Sequence, residues 1–172
     1  MHKVGIWFGA SMLLAACGGG GGLGDGGTAC KQSCLLTLAR LVSSCQPSGA
    51  CTEQLIGTTA ANVCYGNGVK MSATITSSSS DTMSMLVSVK KNNTPCYSVT
   101  MNQDATEVMT MTFKNTSGAT VATLKAGGTA DTTVTCPGGS PSAIDPACNE
   151  EYAAADTASG SGTDCTQGSC SY

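Results

Sequence analysis

The sequence predicts an α+β fold, a disulfide-stapled helical hairpin packed on a roughly six-stranded antiparallel β-meander. Three observations predict it. Apolar residues recur at helical spacing between residues 29 and 64, and they alternate with hydroxyl and charged residues between residues 65 and 136. Cysteine is abundant where aromatic residues are scarce, so a modest apolar core needs covalent support.

The first helix is expected from Thr28, a suitable N-cap, to about Cys45. Cys30, Cys34, Leu38, Leu41, Val42 and Cys45 share one helical face, with Lys31 and Arg40 off it. Gln46-Pro47-Ser48-Gly49 ends it. A second, shorter helix is expected from about Ala50 to Cys64, with Cys51, Leu55, Ile56 and Val63 as its apolar positions. The pair would form an antiparallel hairpin whose cysteines staple helix to helix.

From Tyr65 the period changes to two. Val69, Met71, Ala73 and Ile75 alternate with Lys70, Ser72, Thr74 and Thr76. Met83, Met85, Val87 and Val89 form the next run, with Leu86 the one lapse. Asn92-Asn93 turns the chain toward Tyr97, Val99 and Met101, and Met109, Met111 and Phe113 follow. Asn115 to Gly118 is another turn, before strands at Ala119 to Lys125 and Thr132 to Cys136. Such a meander has one buried face and one hydroxyl-rich face. Asp145-Pro146 suits a helix start, so a short helix is expected from Pro146 to Asp156. Residues 137–172 form the rest of the domain as a tail pinned by Cys165 and Cys170.

The amino-terminal stretch has a different grammar. His2 and Lys3 precede a short apolar run, Val4 to Ala16, which is too short to span a bilayer and has the layout of a secretory signal. It closes on Leu14-Ala15-Ala16-Cys17. This motif resembles the lipobox of bacterial lipoproteins, over residues 1–17 only. The resemblance implies cleavage before Cys17, acylation of its sulfur and a membrane anchor made of acyl chains. Two or three chains, at ~0.8 kcal/mol per buried CH₂, anchor stably where one is marginal. Gly18 stands where aspartate often marks inner-membrane retention, which points to the outer membrane. Residues 17–28, the lipidated cysteine and a glycine-rich run, would act as a flexible tether spanning about 15–20 Å.

Removing residues 1–16 takes away His2 and Trp7, the only histidine and tryptophan. Residues 17–172 then hold no imidazole for a Ser-His-Asp or Cys-His site, no histidine base, and no histidine ligand for zinc. Arg40 is the single arginine, and the lysines are few and scattered, so nucleic-acid binding is not expected. Eleven cysteines less Cys17 leave an even number in an exported chain, which reads as disulfides. Cys30, Cys34, Cys45, Cys51 and Cys64 lie in the first half and Cys96, Cys136, Cys148, Cys165 and Cys170 in the rest. If all pair, an odd number on each side forces at least one bridge across, so residues 29–172 are expected to be one domain. Spacing alone selects no pairing.

The expected function is that of a lipid-anchored envelope protein with a non-enzymatic binding or structural role and no cofactor. Its hydroxyl-rich sheet face or its helical hairpin would meet an envelope protein or glycan. Two alternatives rest on sulfur. Met83, Met85, Met109 and Met111 place thioethers on one strand face, and soft thioethers select Cu(I), although methionine also fills cores. Cys30-Lys-Gln-Ser-Cys34 could hold a metal or exchange disulfides, but its spacing is not that of thioredoxin. Asp145, Asn149, Glu150, Glu151 and Asp156 form an acidic cluster without calcium-loop spacing, which reads as solvated helix acids. Thr74-x-Thr76, Thr110-x-Thr112 and Thr133-x-Thr135 line up threonines as ice-binding or adhesive faces do, though threonine favours strands in any case.

Overall fold

A computed structural model describes residues 30–127, 131–157 and 165–170, with side chains of the last helix described to Ala153. The signal motif Leu14, Ala15, Ala16 and Cys17, the tether and the expected cap Thr28 lie outside the described residues. Among the described residues, ten strands form one sheet. They are β1 (Cys51–Ile56), β2 (Ala60–Tyr65), β3 (Val69–Ser78), β4 (Met83–Lys91), β5 (Thr94–Gln103), β6 (Met109–Lys114), β7 (Thr120–Ala126), β8 (Thr133–Thr135), β9 (Ser142–Ala143) and β10 (Thr166–Gln167). The order is β10-β1-β2-β3-β4-β5-β6-β7-β8-β9. Every neighbouring pair is antiparallel except β1 with β10, which is parallel.

The expected helical hairpin on six strands is therefore overturned. Only its first half is helical: α1 runs Ser33–Ser44 and buries Cys34, Leu35, Leu38 and Val42. The stretch expected as the second helix is the hairpin β1–β2, with Thr52 opposite Cys64 and Leu55 opposite Ala61. Gly57 turns it with a left-handed φ of +65°, a conformation that ends a helix and suits glycine. Thr52, Ile56 and Val63 are β-branched and favour the pleated backbone. The helical spacing of Cys51 and Leu55 was coincidental, because Leu55 and Ile56 are 53% and 49% exposed and form no buried stripe.

The helix that packs beside α1 comes instead from the tail. Asp145 accepts a hydrogen bond from the Ala147 amide (2.9 Å), a 3₁₀ turn covers Pro146–Cys148, and α2 follows at Asn149–Thr157. Gln32, at the head of α1, donates from Nε2 to the Ala143 carbonyl (2.8 Å) and accepts from the Asp145 amide (3.0 Å). This side chain joins the two helix starts.

Local chemistry sets the turns. Asn92 and Asn93 both have positive φ, as a two-residue turn between twisted strands requires. The β5–β6 and β6–β7 turns use one device twice. Asp104 Oδ1 accepts from the Thr106 amide, the Thr106 hydroxyl and the Val108 amide; Asn115 Oδ1 accepts from the Ser117 amide, the Ser117 hydroxyl and the Ala119 amide. Each turn then needs one left-handed residue, which is Gly118 in the second and Glu107 in the first.

The core lies between α1 and one sheet face. Leu35, Leu38, Phe113, Ala122, Leu124 and Val134 are each at most 1% exposed. Burying a Leu or Phe side chain contributes about 1.5–3 kcal/mol. Five disulfides complete it: Cys30–Cys148, Cys34–Cys136, Cys45–Cys96, Cys51–Cys165 and Cys64–Cys170. Each joins a cysteine of the first half to one of the second, where parity demanded only one such crossing. The first three fasten α1 and its approach to the sheet and tail, and the last two fasten the tail to β1 and β2.

Candidate functional site

Strand alternation gives the sheet two faces of opposite chemistry. On the helix side, register carries an apolar row through Ala73, Val87, Val99, Phe113 and Ala122. On the other side, Thr74 stands opposite Leu86, Leu86 opposite Thr100, Thr100 opposite Thr112, Thr112 opposite Thr123, and Thr123 opposite Thr135. A second row runs Asn62, Ser72, Ser88, Ser98 and Lys114. Hydroxyls and amides within these rows bond each other: Ser72 donates to Asn62 Oδ1 at 2.7 Å, and the Thr112 and Thr123 hydroxyls lie 3.4 Å apart.

This face is also cationic. Lys70 lies directly opposite Lys90, and Lys114 and Lys125 occupy the same face on β6 and β7. Strands β2 to β8 contain no aspartate or glutamate. In a chain with eleven acids and eight bases, an acid-free lysine face is a segregated one. Neither Lys70 nor Lys90 forms an ion pair among the described residues. Alternation already placed these lysines at polar strand positions, so the signal was present in the sequence; which lysine faces which was not. Where a carboxylate does come near, at the β5–β6 turn, the Thr106 hydroxyl and then the Thr106 and Val108 amides hold Asp104 below the usual carboxylate range, with Lys125 adding to the effect.

The sulfur residues divide. All ten cysteines beyond Cys17 are in disulfides, and Cys30 and Cys34 bond Cys148 and Cys136 rather than each other. Met83, Met85, Met109 and Met111 all stand on the helix-side face, and Met101 of β5 lies between the two pairs. Among the described residues no group of three or more His, Cys, Asp or Glu side chains could hold a metal ion. Asp145, one of the acidic cluster, spends its carboxylate on capping the turn before α2.

Under the α1 end of the sheet, Tyr97 is 4% exposed and its hydroxyl has no partner among the described residues. Burial, and then Tyr65 beside it, push its phenol up to about 12. It stays neutral and serves packing. Among the described residues no helix is long and apolar enough to cross a membrane. No protein-family model, curated protein or solved structure matches the chain.

Proposed function

We propose that this chain is a lipid-anchored, non-enzymatic protein of the bacterial cell envelope whose hydroxyl-rich sheet face holds an anionic glycan. The anchor rests on Leu14-Ala15-Ala16-Cys17 and its resemblance to the lipobox. The observation that carries the binding reading is the opposed pair Lys70 and Lys90 on an acid-free face. Like charges directly opposite on neighbouring strands are destabilising, and a carboxylate or phosphate bound between them offsets that cost. Serine and threonine hydroxyls both donate and accept, which matches the hydroxyls of a sugar. Each exposed lysine contributes only about 1 kcal/mol to an anion ~4 Å away in water, so binding needs several at once and weakens with salt.

Two measurements test this reading. Alginate, a uronic-acid polymer, should retain the natively exported protein at low salt and release it at high salt, while neutral dextran should not retain it. Lys70→Gln with Lys90→Gln should abolish most of the retention. Equal retention on dextran, or none of the loss in the double variant, defeats the glycan reading. Intact mass of the exported protein should correspond to a chain beginning at Cys17 plus acyl groups, and an unprocessed mass would end the anchor reading.

A further inference from the structure

On the opposite face of the sheet, we infer that Met85, Met101 and Met111 form a thioether site for a soft monovalent cation, Cu(I), with Met109 and Met83 flanking it. The register carries the inference. Met85 is the direct cross-strand partner of Met101, and Met101 of Met111. Directly opposed side chains have Cβ atoms about 4.5–5.5 Å apart. A methionine side chain has three rotatable bonds, so sulfurs from the two outer strands can converge on the middle one. Met83 and Met109 sit one row further on, each opposite Gln103.

Exposure grades across this row. Met111 is buried, whereas Met85 and Met101 in its row and Met83 and Met109 beside it are half-buried, so the group runs from the packed core to solvent. The next row toward α1 carries Ala73, Val87, Val99, Phe113 and Ala122, whose rotamers specify a packed core. The methionine row itself runs from Met85 through Met101 and Met111 into the fully buried Leu124 and Val134. Every methionine after residue 12 stands on this face, and five of them are the contiguous group named here. Methionine fills irregular core gaps, and this row is packed against the core; set side by side on three adjacent strands, the same flexible thioethers also supply neighbouring soft donors to one ion.

The donor set decides the ion. Neutral thioethers favour Cu(I), and the absence of a carboxylate, imidazole or thiol cluster among the described residues leaves hard divalent ions without a competing site. Thioethers carry no proton to displace, so affinity should not follow pH, unlike that of a cysteine or histidine site.

Titration of the natively exported, oxidised chain with Ag(I), a Cu(I) surrogate that needs no reductant, leaves the disulfides closed, and Cu(I) held by a competing chelator is the second arm. The expected result is one ion per chain, equal affinity at about pH 5 and about pH 8, and no Zn(II) uptake. Met101→Leu should lower affinity about tenfold or more, since even outer-shell changes at metal sites cost that much. Leucine nearly conserves the volume, so the fold survives, and circular dichroism with a thiol count verifies it. Met71→Leu, off the row opposite Val89, should bind as wild type. Failure to retain Ag(I) and Cu(I), wild-type affinity in Met101→Leu, or affinity rising steeply with pH as opened cysteines would give, each overturns the site.

Discussion

Phe113 and Thr112 are neighbours in β6, yet they belong to different worlds. Phe113 is 1% exposed beneath the helix layer, while Thr112 stands half-exposed on the far face with its hydroxyl near that of Thr123. The same comparison holds for Val87 against Ser88 and for Leu124 against Lys125. A sheet covered on one side separates buried from exposed positions at every second residue, so a change on the open face leaves the core untouched.

The largest effect should come from breaking that separation on its packed side. Phe113→Ala is expected to lower unfolding free energy by about 3–5 kcal/mol, and Thr112→Val to change it by no more than about 0.5 kcal/mol, in paired urea titrations. Equal costs would mean that the open face is packed as well.

Next comes a comparison of bridges. Cys34–Cys136 and Cys64–Cys170 close chain separations of 102 and 106 residues, so loop entropy alone makes them equal. Their surroundings differ, since Cys34 lies in α1 beside the fully buried Leu35, and Cys170 lies in the short tail along β1. Replacing Cys34 and Cys136 with alanine should cost about 2–4 kcal/mol, the usual range for a bridge, and the Cys64 and Cys170 pair should cost less. Equal losses would show that chain entropy dominates over the packing of α1.

The smallest effect concerns Tyr97. An unfolded phenol ionises near 10 and this one near 12, so the contribution is complete below about pH 10 and is lost as pH rises through about 12. Tyr97→Phe should remove that alkaline loss and, by deleting a buried hydroxyl without a partner, raise stability near neutral pH by about 1 kcal/mol. Urea midpoints at neutral and alkaline pH, with tyrosinate absorbance, read both. A destabilised Tyr97→Phe would mean that the hydroxyl has a partner after all.

The pattern of residues 69 to 135 was legible because strict alternation over several residues has one cheap solution, a half-buried strand. Residues 51 to 65 were not. Cys51, Leu55 and Ile56 fit helical spacing within a short window, and nothing local reveals that two of the three end up exposed. The four lysines of the open face and the methionines of the other were each visible as strand positions. Their juxtaposition was not, because Met85 meets Met101, and Lys70 meets Lys90, only once the register of separate strands is settled.

What the amino-acid order determined by itself is which way the residues of β3 to β8 point, where Asn92-Asn93 and Asn115 to Gly118 turn the chain, and that the cysteines, once all are paired, join its halves. These follow from the period of two, from side chains that tolerate positive φ, and from parity. The tertiary structure alone decided that Ala50 to Cys64 would be a hairpin of strands, that α1 would take its helical neighbour from the tail, and which cysteine found which. Those outcomes depend on contacts between residues far apart in sequence, whose free energy exists only after the chain has closed on itself.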